Sequence, residues 1–269
     1  MSRQWDDGTV QQICDDFVAE AEALDGIVSD DGVDFDRPTP APGWSIGDQI
    51  SHLWFFDQRA HLALTDPEAF LADAETLLAD SGAGTQASVQ VGRSMVAEEL
   101  CDAWRADRVR LIAAARDVDP TVRVRWYGPP MGARSFITAR LMETWAHGQD
   151  IVDALGIGRA ATDRLRHVAH IGVGARVFSY LANARPAPTH PVRVELRGPT
   201  ADLWTWGPEE AADRVSGDAL DFCLVVTQRR HLDDVTLVID GAGAQEWMSI
   251  AQSFAGPPGP GRQPGQFER

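Results

Sequence analysis

In the stretch ETWAHGQD, Glu143 and His147 stand four residues apart. On a helix that spacing projects both side chains from one face, with Cβ atoms about 5–6 Å apart, close enough to share one metal ion. Two ligands do not make a catalytic site. A third is offered by His52, in SIGDQISHLWFFDQ, which shares a helical stripe with Asp48 and Phe56. That stripe is the one a bundle turns inward. Two imidazoles and one carboxylate are what a catalytic zinc takes from a protein, with a fourth position left for water or substrate. Asp150, one turn beyond His147, and Asp48, one turn before His52, are placed to accept imidazole N–H groups. A glutamate and a histidine at this spacing also occur as a plain ion pair, so spacing alone does not decide. Trp145 and Ala146 beside the pair, and LWFF after His52, bury both histidines at least in part. A buried histidine without a partner is costly, which favours a shared metal.

The elements that must position these residues are mainly helical. Val10, Ile13, Cys14, Phe17, Ala21, Leu24 and Val28 recur at intervals of three and four, the mark of an amphipathic helix. SDDGVDFDRPTPAPGW, with its prolines and glycines, reads as a loop. Ser45 then opens a second helix, with Asp48 completing a capping box, and the helix runs to about residue 64. Asp66–Pro67 breaks it, and the small-residue stretch DSGAGTQAS follows. A third helix is expected over 91–118, carrying Met95, Leu100, Trp104, Leu111, Ile112 and Ala115. TVRVRWYGPPMGARS reads as a short strand and a loop. A fourth helix over 136–155 holds Glu143 and His147, and a fifth is expected over 162–183. Long helices so joined suggest a bundle.

The pattern changes after Pro186. The run PAPTHP reads as a linker. Beyond it, 192–196, 201–207 and 235–240 read as strands and 217–228 and 244–254 as helices, a small α+β module. The expected organisation is a helical domain over 1–185, an α+β domain over 190–257 and an irregular, proline- and glycine-rich tail over 258–269.

Composition narrows the function. The 269 residues carry 40 acidic against 24 basic side chains, a net charge of −16, and every basic residue is arginine. So large an acidic surplus repels phosphates and anionic headgroups, which argues against nucleic acid and membrane partners. The missing lysine removes Schiff-base chemistry and a P-loop lysine. Cys14, Cys101 and Cys223 form no CxxC pair and sit among apolar neighbours, as buried small hydrophobes do. The first ten residues contain no apolar leader core, and no apolar run approaches the roughly 18–20 residues of a membrane helix. The expected location is the cytoplasm.

TPAPGWSIGDQISHLWFFDQ, followed about 90 residues later by ETWAHGQDIVDALG, resembles the metal-binding domain of the mycothiol-dependent maleylpyruvate isomerase family, within the DinB-like superfamily. The resemblance covers roughly residues 10–180. It implies a DinB-like up-down four-helix bundle in which His52, Glu143 and His147 hold a divalent metal, zinc by ligand type. Family members often add a small α+β domain similar to sterol carrier proteins, and residues 190–256 are compatible with one. The resemblance further implies mycothiol as thiol co-substrate and a small electrophilic second substrate. The expected activity is a zinc- and thiol-dependent isomerisation or S-transfer: coordination would deprotonate the thiol, and the thiolate would attack. A carboxylate substrate would call for arginine, with Arg134, Arg140, Arg229 and Arg230 as candidates and none singled out. His61, His231, His167 and His170 read as surface or packing residues, and Trp204 and Trp206 as core. Two alternatives stay open: a non-catalytic metal-binding or regulatory protein, and a non-haem iron enzyme using the same two-histidine, one-carboxylate set.

Overall fold

The computed structural model describes residues 3–4, 9–79, 83–256 and 258–267. Residues 80–82, part of the small-residue stretch, and residues 268–269 of the expected tail lie outside them. An amino-terminal strand, β1 (Arg3–Gln4), precedes the first helix. The described residues fall into two compact units, one within Gly8–Arg159 and the other within Ala160–Arg269 together with that strand.

The first unit is built on four long helices: α1 (Val10–Val28), α2 (Ile46–Thr65), α5 (Ala97–Asp117) and α6 (Ala133–Leu155). The helix starts are written in the sequence. Thr9 caps α1 in a capping box with Gln12, and Ser45 caps α2 in one with Asp48, each satisfying backbone N–H groups left open by the first turn. Gly156 closes α6 in the left-handed conformation at φ 66°. In the principal packing, α1 and α2 each lie against both α5 and α6. One core cluster draws on all four helices, with Leu24, Ile50, Leu53, Trp104 and Ile151 among its members. α2 and α6 run antiparallel, since Gln49 meets His147 while Asp57, two turns later, meets Arg140 two turns earlier.

Two shorter helices, α3 (Pro67–Leu78) and α4 (Ala83–Gln90), follow the expected break, where no helix was expected. The break is real, but the same dipeptide starts the next helix. Asp66 Oδ1 accepts from the backbone N–H of Ala69, and Pro67 stands at a first-turn position where its missing N–H is no loss. Residues 92–94 form a 3₁₀ turn before α5, so the third expected helix begins at Ala97. Between α5 and α6, β2 (Arg123–Val124) and β3 (Met131–Gly132) pair as a small antiparallel hairpin.

The second unit is a mixed sheet with helices. Its strands β4 (Val192–Arg197), β5 (Leu203–Trp206), β6 (Asp213–Asp218) and β7 (Leu237–Asp240) combine with β1 in the order β1-β5-β4-β6-β7. β4 pairs antiparallel with β5 and parallel with β6, and β6 pairs antiparallel with β7. β6 was not expected, because DRVSGD has a single fully buried apolar residue, Val215. Its polar residues serve neighbours: Asp213 caps α10 (Ala242–Ser249) through the N–H groups of Gly243 and Ala244, and Arg214 pairs with Glu195. The expected fifth helix is two, α7 (Leu165–Gly174) and α8 (Arg176–Ala182). They pack with α9 (Ala219–Val226) and α10, so the compact units divide before residue 160 rather than near 185. Gly172 makes this possible, since any side chain there would meet Val226 and Phe222 of α9. The proline-rich run 186–191 connects two elements of one unit, α8 and β4.

Residues 258–267 contain neither helix nor strand, as their proline and glycine content predicts. Among the described residues no helix is long and apolar enough to cross a membrane. All three cysteines are buried, and burial pushes the Cys14 thiol up to about 11, which unsuits it as a nucleophile at neutral pH.

A candidate metal centre on two helices

The three residues singled out by spacing meet. His52 comes from α2, Glu143 and His147 from α6, and one ligand atom of each lies within 4.8 Å of the others. His147 Nε2 is 3.2 Å from Glu143 Oε2 across one turn of α6. The two imidazole centroids are 4.5 Å apart. Side-chain exposure is 20% for Glu143 and 10% for His147, so the cluster is recessed yet open on one side.

Burial raises the affinity of Glu143 for a proton, but the hydrogen bond from His147 and the positive charges of His147, Arg140 and His52 outweigh it and hold the carboxyl down to about 2. The residue is therefore an anion at any working pH. A carboxylate and two imidazole nitrogens converging in a recess are a donor set suited to a divalent cation of borderline softness.

The other ring nitrogen of each histidine is held by a neighbour the sequence reading did not name. His147 Nδ1 is 2.5 Å from Gln49 Oε1, and His52 Nδ1 is 2.9 Å from Ser88 Oγ. Gln49 and Ser88 are fully buried. The expected acceptor Asp48 is engaged elsewhere: both its oxygens accept from Arg93 at 2.8 Å, and it completes the α2 cap. Asp150 is buried on α6, but the Nδ1 partner of His147 is Gln49. Gln49 carried a weak signal, lying one turn before His52 on the same helix. Ser88 carried none, because it lies in a stretch without helical periodicity.

Aromatic side chains wall the cluster. The Trp44 ring stacks near His147 at 5.9 Å and leans on His52 at 5.0 Å, and Phe56 lies 4.7 Å from His52. Behind Phe56 stand Trp126 and Tyr127 of the β2–β3 hairpin. Of the candidate arginines, Arg140 is consumed by Asp57 in a buried pair at 2.9 Å. Arg134 is exposed on the first turn of α6. Arg229 donates to the carbonyl of Thr227, and Arg230 lies over the Phe267 ring at 4.0 Å. Two of the remaining histidines have other uses: His170 accepts from Trp206, and His231 caps the turn at 232–234.

A family model described as the mycothiol maleylpyruvate isomerase N-terminal domain matches residues 17–152. The chain belongs to that family. The matched span contains His52, Glu143 and His147 and nearly all of the helical unit. A second family model, described as wyosine base formation, matches residues 188–239, within the sheet-bearing unit. Two uncharacterized proteins of Mycobacterium tuberculosis, from strains CDC 1551 / Oshkosh and ATCC 25618 / H37Rv, are each 48% identical over 250 residues. Those matches cover 92% of this chain and 96% of each relative. Among solved structures, the mycothiol-dependent maleylpyruvate isomerase aligns with a TM-score of 0.56 at 16% identity, covering 85% of this chain and 92% of that one. A histidine-to-alanine mutant of the same enzyme aligns equally well. At that identity the match shows the fold: a mainly helical protein with a small sheet-bearing module.

Proposed function

We propose that this member of the family is a metal-dependent enzyme that uses a low-molecular-weight thiol, mycothiol by family, on a small electrophilic substrate, by isomerisation or S-transfer. The observation that carries the reading is the convergence of His52, Glu143 and His147 within 4.8 Å from two helices. When bound, a zinc ion would stabilise the thiol co-substrate as its thiolate at neutral pH. The residues of the chain supply the setting. His52 and His147 would offer neutral nitrogen donors once the cation displaces any proton on the ligating nitrogen, while the single carboxylate of Glu143 leaves a divalent site with one positive charge, suited to an anionic sulfur. Trp44 and Phe56 shield one side of the site from water. The partial exposure of Glu143 and His147 leaves an approach for a small molecule.

The test is the metal content of the purified protein, followed by cobalt substitution. One zinc per chain is expected, lost in His52→Ala. Addition of mycothiol to the cobalt protein is expected to produce a sulfur-to-cobalt charge-transfer band. Metal uptake with no spectral response to any thiol would instead identify a binding protein that keeps the ligands without the chemistry. Iron in place of zinc, with turnover that needs no thiol, would overturn the thiol reading.

A further inference from the structure

The hydrogen bonds behind the histidines settle which nitrogen of each ring faces the site. Thr39 Oγ1 lies 2.9 Å from the carbonyl oxygen of Trp44. Two oxygens at that distance need a proton between them, and only the hydroxyl has one. Thr39 Oγ1 must then accept at its other contact, 2.9 Å from Gln49, so the amide NH₂ points to Thr39 and the amide oxygen to His147. At 2.5 Å from that oxygen, His147 Nδ1 is the donor. The same logic holds on the other side. Ser88 Oγ lies 2.7 Å from the carbonyl oxygen of Thr85 and spends its single proton there. It therefore accepts from His52 Nδ1 at 2.9 Å.

We infer that Gln49 and Ser88 are positioning residues of this centre: each takes the Nδ1 proton of one histidine and commits Nε2 of both rings to the metal. The inference rests on the metal reading above and adds to it a defined tautomer, a defined ligating atom and two residues that enforce them. In water neutral imidazole favours the opposite tautomer, with the proton on Nε2, so the protein works against the intrinsic preference in two places. Both acceptors are anchored in turn. Gln49 is tied through Thr39 to the loop that ends in Trp44, the residue whose ring lies over both imidazoles. Ser88 is tied to α2, since Ser51 Oγ donates to its carbonyl at 2.6 Å. An acceptor held at both ends fixes ring orientation as well as protonation, and such outer partners typically carry 10–100-fold in metal affinity.

The experiment has two arms. In the metal-free wild type, long-range ¹⁵N–¹H NMR of the histidine side chains is expected to show a proton on Nδ1 of both His52 and His147, with His147 Nε2 also donating to Glu143 until a cation displaces that proton. In Gln49→Leu the His147 pattern, and in Ser88→Ala the His52 pattern, should move toward Nε2–H. Cobalt affinity should then fall about 10–100-fold in each. Gln49→Glu and Ser88→Thr, which keep an acceptor in place, should restore it. A wild-type spectrum with no proton on Nδ1 of His52 or His147, or variants that bind cobalt as tightly as wild type, would overturn the inference and leave the metal reading standing. A wild type that takes up no cobalt would overturn the metal reading and the ligand role of Nε2 together. The wild-type spectrum needs no mutant to fold, and Gln49→Glu supplies a nearly isosteric second variant.

Discussion

Two polar clusters span the same pair of helices, and they are finished differently. Asp57 of α2 and Arg140 of α6 are 1% and 5% exposed and pair with one another, with Asp57 also accepting from Trp104 Nε1 at 3.3 Å. Less than two turns away on each helix, His52, Glu143 and His147 converge within 4.8 Å, and Nδ1 of each histidine is held from behind by Ser88 or Gln49. The first cluster is a buried pair of opposite charges that neutralise one another. The second gathers two imidazoles and a carboxylate at one place, with Nδ1 of each ring held from behind. Burial and charge alone do not separate two such clusters; the kind of donors gathered at one point does.

The contrast predicts opposite phenotypes. The largest effect belongs to the closed cluster: Asp57→Ala strands the Arg140 charge in the core and should cost about 3–5 kcal/mol of unfolding free energy, read by urea titration. A double Asp57→Leu, Arg140→Leu replacement should recover most of it, while both variants keep cobalt binding when folded. Loss of the cobalt site in the recovered double mutant would break the contrast. Next in size is the open cluster. Glu143→Gln should lower the stability of the metal-free protein at neutral pH, since His147, Arg140 and His52 favour the carboxylate in the folded state, but by less than Asp57→Ala. It should also remove the stabilisation that metal gives, about 2.7 kcal/mol for wild type at a hundredfold excess over the dissociation constant. Thermal denaturation with and without cobalt measures both.

How much of this was legible in the sequence follows the range of the interaction. His52, Glu143 and His147 could be found because two of them share one helical turn and the third sits in a helix announced by Ser45 and Asp48. The four long helices were legible for the same reason, from periodicity and caps. What could not be read depends on which side chains meet across elements. Gln49 serves a histidine on another helix, and Ser88 sits in a helix whose sequence, AGTQASVQ, has little apolar periodicity. Arg140 was one of four candidates for a substrate carboxylate, but Asp57, 83 residues away, takes it. Asp48 was read as a partner of His52, but an aspartate already capping a helix and facing Arg93 has no oxygen to spare. The strand β6 hid behind polar residues whose partners lie on neighbouring elements.

The third prediction tests how tightly α4 must sit against the site. Gly92 N–H donates to Ser51 Oγ at 3.1 Å, and the same hydroxyl donates to the Ser88 carbonyl. A Cβ at Gly92 would overlap Ser51 Cβ and Oγ. Gly92→Ala should therefore cost about 1–3 kcal/mol by overpacking and also weaken cobalt binding, because Ser88 moves with Ser51. Gly158→Ala, where nothing lies within 4 Å, is the control and should alter neither.

The smallest effect concerns the cap that sets the start of α2. Ser45→Ala should cost about 1 kcal/mol, the ordinary worth of an N-cap side chain. Asp48 adds a pH dependence of known sign. Burial raises its proton affinity, but the hydrogen bonds from Arg93 and from the Ser45 N–H, with the Arg93 charge, outweigh that and hold its pKa below the ordinary 3.8. A carboxyl with a depressed folded-state pKa stabilises the protein fully above its unfolded value and loses that contribution as pH falls through the folded one. Wild type should thus lead Asp48→Asn in stability at pH 6, with the gap closing below about pH 3.8. Because α2 also carries His52 and Gln49, fraying of its first turn should loosen the metal centre. Cobalt affinity in Asp48→Asn should fall at neutral pH by less than in Gln49→Leu, since the cap acts on the whole turn while Gln49 acts on the ligand itself. A larger loss in the cap variant would mean that helix position, rather than imidazole orientation, governs the site.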